Sequence, residues 1–226
     1  MTDRIRKILA GALLLLGVVS AILAYGEHKP FKEAKVKQQA VIQTVVAETE
    51  ESVEDPLERR IDFETLLKIN PDIIGWLYAP QIGVDDPILK GENDTEYLSR
   101  GFDGSYSPLG SVFTWAHTDE KLSDQHLCLF GHNMMSGQIF GRLDRFEDTG
   151  FQKANRKMYL YTPERSKELE VESVFTCRKD DGVFQDDWGK GSGYQTVTLA
   201  TCTGYNSTPY RLTVNCRVVR EKLVLY

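Results

Sequence analysis

Between Ser111 and Val219 the chain is broken into short runs of β-branched and aromatic residues, and this punctuation limits the fold more than any other feature. The runs cover 111–115, 127–130, 158–161, 169–177, 196–202 and 210–219, separated by Gly, Asp and Asn turns with no long helical period between them. Strands this short, without alternating crossover helices, predict a mainly β barrel or sandwich. With 226 residues and 41% apolar content the chain can bury such a core without staples. One helix is expected ahead of the strands. Asp62 is an acidic cap before FETLLKI, Pro71 follows its end, and Phe63, Leu66 and Leu67 form its expected buried face.

The N-terminus obeys a different rule. Arg4, Arg6 and Lys7 precede ILAGALLLLGVVSAILAY, Ile8 to Tyr25, which carries no charge. As a helix it is about 27 Å long, close to a hydrocarbon core of about 30 Å, and the basic residues before it predict a cytoplasmic N-terminus with an extracellular body. A cleaved signal peptide with a small-residue site at Val18 and Ser20 is disfavoured, because apolar residues continue through Ile22 and Leu23. From Glu27 to Pro56 charges dominate without a sustained period, so a partly helical tether is expected, with Glu48, Glu50, Glu51, Glu54 and Asp55 as a solvated segment. The expected organisation is a cytoplasmic stretch 1–7, a single transmembrane helix 8–25, a tether 26–56 and a folded domain 57–226.

Strand parity sorts the four cysteines. In 169–177, Leu169, Val171, Phe175 and Cys177 alternate with Glu170 and Glu172, which predicts a core-facing Cys177. In 210–219, Tyr210, Leu212, Val214, Cys216 and Val218 lie opposite Arg211, Thr213, Asn215 and Arg217, which predicts a core-facing Cys216. In TVTLATC, Val197 and Leu199 face the core, so Cys202 faces away from it, at a strand end. Cys202 and Cys216 therefore make a poor disulfide pair, and Cys128 in LCLF has no parity to read. No C-x-x-C or paired histidine spacing indicates a metal.

A net charge of −6 provides no basic field for nucleic acid. The chemistry-bearing candidates are Cys202, His132 directly after a strand and a glycine in CLFGHNM, and Arg211 at the start of the strand that follows Cys202. His117 and His126 are read as structural or surface residues. Asp180, Asp181, Asp186 and Asp187 crowd the loop before the cysteine strand, where they form either a solvated turn or a device that draws in a cationic group.

TLATC, Thr198 to Cys202, fits the T-L-x-T-C signature of sortases, and Arg211 follows it as His132 precedes it. Asp62 to Val219 resembles a class B sortase throughout, in INPDIIGWLYAP, GENDTEYLSRGFDG and GHNMMSGQIFGRLDRF. The resemblance implies an eight-stranded barrel with N-terminal helices on the outer face of a Gram-positive membrane, and a transpeptidase that needs no cofactor or metal. Its partners would be secreted proteins bearing a sorting signal, and an amine of a peptidoglycan precursor or a pilin lysine. It implies Cys202 as nucleophile, His132 as the proton-transfer group and Arg211 as the donor to the substrate carbonyl. Substrate contacts are expected at Leu98, Thr201 and Tyr205. Two departures stand out: Thr203 to Tyr210 holds no carboxylate, and the loop Arg178 to Gly193 is short where class B members carry a helical insertion. A different class remains open, a membrane-tethered β-barrel binding module without chemistry.

Overall fold

The computed structural model describes residues 3–46, 55–204 and 208–224, and within its first helix the side chains of 3–12 and 21–28 lie outside the description. Three α-helices are present in this set, α1 (Asp3–Val46), α2 (Phe63–Ile69) and α3 (Thr149–Ala154), along with several short 3-10 turns. The strands are β1 (Ile73–Ala79), β2 (Val84–Leu89), β3 (Val112–Phe113), β4 (His126–Phe130), β5 (Lys157–Tyr161), β6 (Arg165–Arg178), β7 (Thr196–Cys202) and β8 (Tyr210–Leu223). They close a barrel in the order β1-β2-β3-β4-β7-β8-β6-β5, with β5 returning to β1. Two neighbouring pairs, β2/β3 and β4/β7, run parallel, and the rest are antiparallel.

Alternation works as expected on β7 and β8. Val197, Leu199, Leu212, Val214 and Cys216 point into the barrel core with Leu77, Ile88, Leu127 and Leu129. A second apolar cluster lies outside the barrel wall, where Trp76, Leu89, Phe113 and Tyr161 meet Phe63 and Leu66 of α2. The polar tips of its large rings are bonded: Trp76 Nε1 donates to Asp85 at 2.6 Å, and the Tyr161 hydroxyl donates to the Pro56 carbonyl at 2.8 Å. These bonds remove the cost of burying the ring donors. Arg59 grips Asp85 through both terminal guanidinium nitrogens, at 2.9 and 2.7 Å, and stacks over Tyr78.

Several expectations need correction. Cys177 does not face the core. The β6/β8 register slips between Val171 and Ser173, and this bulge moves the following residues to the opposite parity. Val174 and Thr176 then pair with the inward Val214 and Leu212, while Phe175 and Cys177 pair with the outward Thr213 and Arg211. Asp62 does cap α2, accepting from the Thr65 amide at 2.9 Å, but Leu67 is 42% exposed because two turns of helix can bury only the Phe63–Leu66 edge.

The expected tether is helix as far as Val46. Phe31 and Ala34 pack on the barrel core, and Val41, Ile42, Val45 and Val46 pack on the outer cluster, a stripe at helical spacing. The proposed membrane span, Ile8 to Tyr25, falls within α1, yet most of its side chains lie outside the description. Among the described residues no helix is long and apolar enough to cross a membrane. Of the acidic segment, Glu48 to Glu54 lies outside the described residues, and Asp55 is paired with Arg220 at 2.5 Å rather than simply solvated.

Candidate active site

The outer face of four adjacent strands carries its residues in rows set by register. Phe130 pairs with Ala200 in the parallel β4/β7 ladder, so His132 and Cys202 each lie two residues beyond that pair. Cys202 stands opposite Arg211 in β7/β8, and Arg211 stands opposite Cys177 in β6/β8. The order across the sheet is therefore His132, Cys202, Arg211, Cys177. Neighbouring strands lie about 4.8 Å apart, which brings the first three within reach of one bound group. Cys202 is half-buried, and all four cysteines are free thiols.

The segment that carries His132 is stitched to the cysteine strand. The Gly131 amide continues the ladder onto the Ala200 carbonyl at 3.3 Å, the Thr201 hydroxyl donates to the Gly131 carbonyl at 2.7 Å, and Asn133 Nδ2 donates to the Cys202 carbonyl at 2.9 Å. His132 Nε2 lies 2.7 Å from the Leu98 carbonyl oxygen. A carbonyl only accepts, so Nε2 carries the hydrogen and Nδ1 is the nitrogen left to gain or lose a proton. The group that orients this histidine is thus backbone, in keeping with the absence of a carboxylate after Cys202. Arg211 Nη1 donates to the carbonyls of Thr208 at 2.6 Å and Tyr210 at 3.0 Å, which fixes the root of the β7–β8 loop and leaves other donors of the five-donor fork for a substrate.

The expected substrate contacts fare unequally. Leu98 stands at the site through its carbonyl, and its side chain is 40% exposed. Thr201 is only 2% exposed and spends its hydroxyl on Gly131, so it ties strands together instead of lining a groove. Tyr205 lies outside the described residues. Sequence reasoning missed Asn133, although its position beside His132 in GHN was the available signal. It also missed the Leu98 carbonyl, for which no side-chain type gives a signal.

Behind this row sits a covered floor. The loop between β6 and β7 lays Phe184 on Phe130 and Trp188 on Phe175, with ring centroids 6.1 and 6.5 Å apart. His126 and His117 hold this loop: His126 Nδ1 donates to the Gln185 carbonyl at 2.9 Å, and His117 pairs with Asp186 at 3.0 Å. Burial pushes the His126 imidazole below its ordinary value, against the bond to Gln185 and the charge of Asp186. Three of the loop carboxylates have internal partners: Asp180 pairs with Arg178, Asp181 caps Val183 and Asp186 pairs with His117. That favours the structural turn over attraction of a distant cation. No cluster of His, Cys, Asp or Glu among the described residues could hold a metal ion.

Comparisons with known proteins bear on the family and the fold. The sortase domain family model matches residues 77–219. The chain is 23% identical to sortase B of Staphylococcus aureus over 247 residues, covering 96% of this chain and 99% of that one. Among solved structures, sortase B from Bacillus anthracis in complex with AAEK1 superposes with a TM-score of 0.69 at 25% identity, over 85% of this chain and 99% of that one. A Staphylococcus aureus sortase B–substrate complex superposes with a TM-score of 0.70 over 86% of this chain and 99% of that one; at 20% identity it speaks for the fold alone.

Proposed function

The chain belongs to the sortase family, in its class B, and is a cysteine transpeptidase; from this premise we propose that His132, Cys202 and Arg211 carry its reaction on secreted proteins at the cell surface. The observation that supports the assignment is the single row these residues share at the ends of β4, β7 and β8. The Cys202 thiolate adds to the scissile carbonyl of a sorting signal, and the negative oxygen that forms accepts hydrogen bonds from the Arg211 guanidinium. His132, as imidazolium, gives a proton to the leaving amine as the C–N bond breaks, and a thioester to Cys202 remains. An incoming primary amine then loses a proton to the neutral imidazole and attacks the thioester. Collapse of the second tetrahedral species breaks the C–S bond, forms the new amide and releases Cys202 as the thiolate, with His132 again the imidazolium.

We assign the acceptor to an amine of the cell wall, with Ile8 to Tyr25 as the single-pass anchor, 26–56 as its extracellular continuation and 57–226 as the catalytic body. The charge-free run after Arg4, Arg6 and Lys7 supports that topology, as does the helix that joins it to the barrel. The test incubates the full chain in detergent with a panel of fluorogenic sorting peptides and candidate amines, followed by mass analysis. The expected result is a ligated product and an acyl adduct on Cys202. Turnover retained by Cys202→Ala, or no adduct with any peptide, would overturn the reading.

A further inference from the structure

Gly110 closes the loop that runs over His132, and three observations meet at it. Its φ is +61°, and a Cβ added there would lie 2.7 Å from the Tyr97 carbonyl oxygen, 2.8 Å from the Leu98 carbonyl oxygen and 3.0 Å from His132 Cδ2. The Leu98 oxygen is the one that accepts from His132 Nε2. The surroundings have little room to retreat. The Tyr97 oxygen accepts from the Ser111 amide at 3.0 Å, the Ser111 hydroxyl donates to the Arg100 carbonyl at 2.9 Å, and the Gly110 amide donates to the Ser107 carbonyl at 3.1 Å. Lys37 of α1 holds the far side of the same loop through Asp103 and Ser105.

We propose that Gly110 is a positioning residue of the transfer reaction: its missing side chain lets the loop backbone back directly onto the Leu98–His132 pair, which fixes the plane of the imidazole. The inference rests on His132 being the proton-transfer group proposed above. A methyl at 110 cannot be absorbed by the loop, because its carbonyl neighbours are engaged, so the ring or the Leu98 carbonyl must shift. A shift of either turns Nδ1 away from the line between Cys202 and the leaving amine. Misplacement by about 1 Å in such a site costs on the order of 100-fold in rate.

Gly104 provides the control. It lies in the same loop with φ +76°, but its nearest neighbour is Asn70 Nδ2 at 4.0 Å. Alanine there imposes the left-handed strain without crowding the histidine. Full-chain Gly110→Ala, Gly104→Ala and His132→Ala are compared in hydrolysis of the fluorogenic peptide selected from the panel, in thermal melting, and in the nitrogen NMR shifts of the His132 imidazole. We expect kcat to fall about tenfold or more in Gly110→Ala with KM within about twofold, and the imidazole shifts to change. Gly104→Ala should melt lower and keep its kcat. Full turnover in His132→Ala would defeat the site assignment itself. If His132→Ala is inactive while Gly110→Ala keeps kcat and its imidazole shifts, or if Gly104→Ala loses kcat equally, only the role of Gly110 is overturned. Should Gly110→Ala fail to fold, Ser111→Ala unpins the same loop without crowding it. A drop in kcat of about twofold or more is then expected, and an unchanged kcat would overturn the inference.

Discussion

Cys177 stands directly opposite Arg211 in the β6/β8 ladder, on the face that also carries Cys202. Two cysteines therefore flank one arginine across three adjacent strands. Two steps of about 4.8 Å put their α-carbons roughly 10 Å apart, beyond the reach of a disulfide. Burial pushes the Cys177 thiol up to about 11, with Asp181 adding to the rise and Arg211 opposing it. Burial pushes Cys128 up to about 12 and raises Cys216 as well.

These three thiols are covered and protonated near neutral pH, whereas Cys202 is half-buried at the rim. A limiting amount of iodoacetamide at neutral pH is expected to label Cys202 and leave the others intact, as read by peptide mass analysis. Labelling of Cys177 at a comparable rate would show that this thiol is not covered as its burial indicates.

Arg211→Lys is expected to reduce kcat by about 100-fold or more while KM changes little, if the guanidinium meets the negative oxygen of the tetrahedral species. Lysine keeps the charge but not the planar fork, and it cannot hold the Thr208 and Tyr210 carbonyls while also reaching the substrate. Steady-state kinetics decides the matter. A raised KM with kcat intact would reassign Arg211 to binding of the ground state.

Asp86 gives the fold a pH dependence with a definite sign. It lies buried under α1, where Gln38 donates to it, and burial with Asp85 alongside pushes its carboxyl up to about 7. The folded state then binds a proton more tightly than the unfolded chain. Stability from this group is present below about pH 4 and lost as pH rises toward 7. Asp86→Asn keeps an oxygen for Gln38 and removes the charge. It should be about as stable as the parent at pH 4 and more stable at pH 8, by an amount on the order of 1–4 kcal/mol. Equal differences at both pH values would contradict this account.

Particular residues show what could be read before any coordinates. Alternation placed Cys202, Arg211 and Cys216 on their faces, because β7 and the first half of β8 run without a bulge. It misplaced Cys177 because a bulge adds one residue without a compositional mark. β1 offered no alternation to read, since the outer cluster covers Trp76 while the barrel core covers Leu77. The row of His132, Cys202 and Arg211 emerged from parity together with a family signature. The histidine's partner, the Leu98 carbonyl, is written in no side chain, so only the folded backbone reveals it.

The packing of α1 sets the last prediction. Val45 and Val46 are each 4% exposed, the Asp62 amide donates to the Val45 carbonyl at 3.2 Å, and Phe31 and Ala34 lie against the barrel core. A fragment beginning at Leu57 discards all of these contacts, and with them the Lys37 grip on the loop that ends at Gly110. Two buried valines alone are worth about 3 kcal/mol as an upper estimate. The fragment Leu57–Tyr226 should therefore melt roughly 5–15 °C below Lys29–Tyr226. Its kcat should also fall, because the loop over His132 loses one of its ties. Calorimetry and peptide hydrolysis on the two fragments read both effects. Coincident melting and equal kcat would mean that α1 beyond Tyr25 contributes nothing to the stability or activity of the proposed body 57–226.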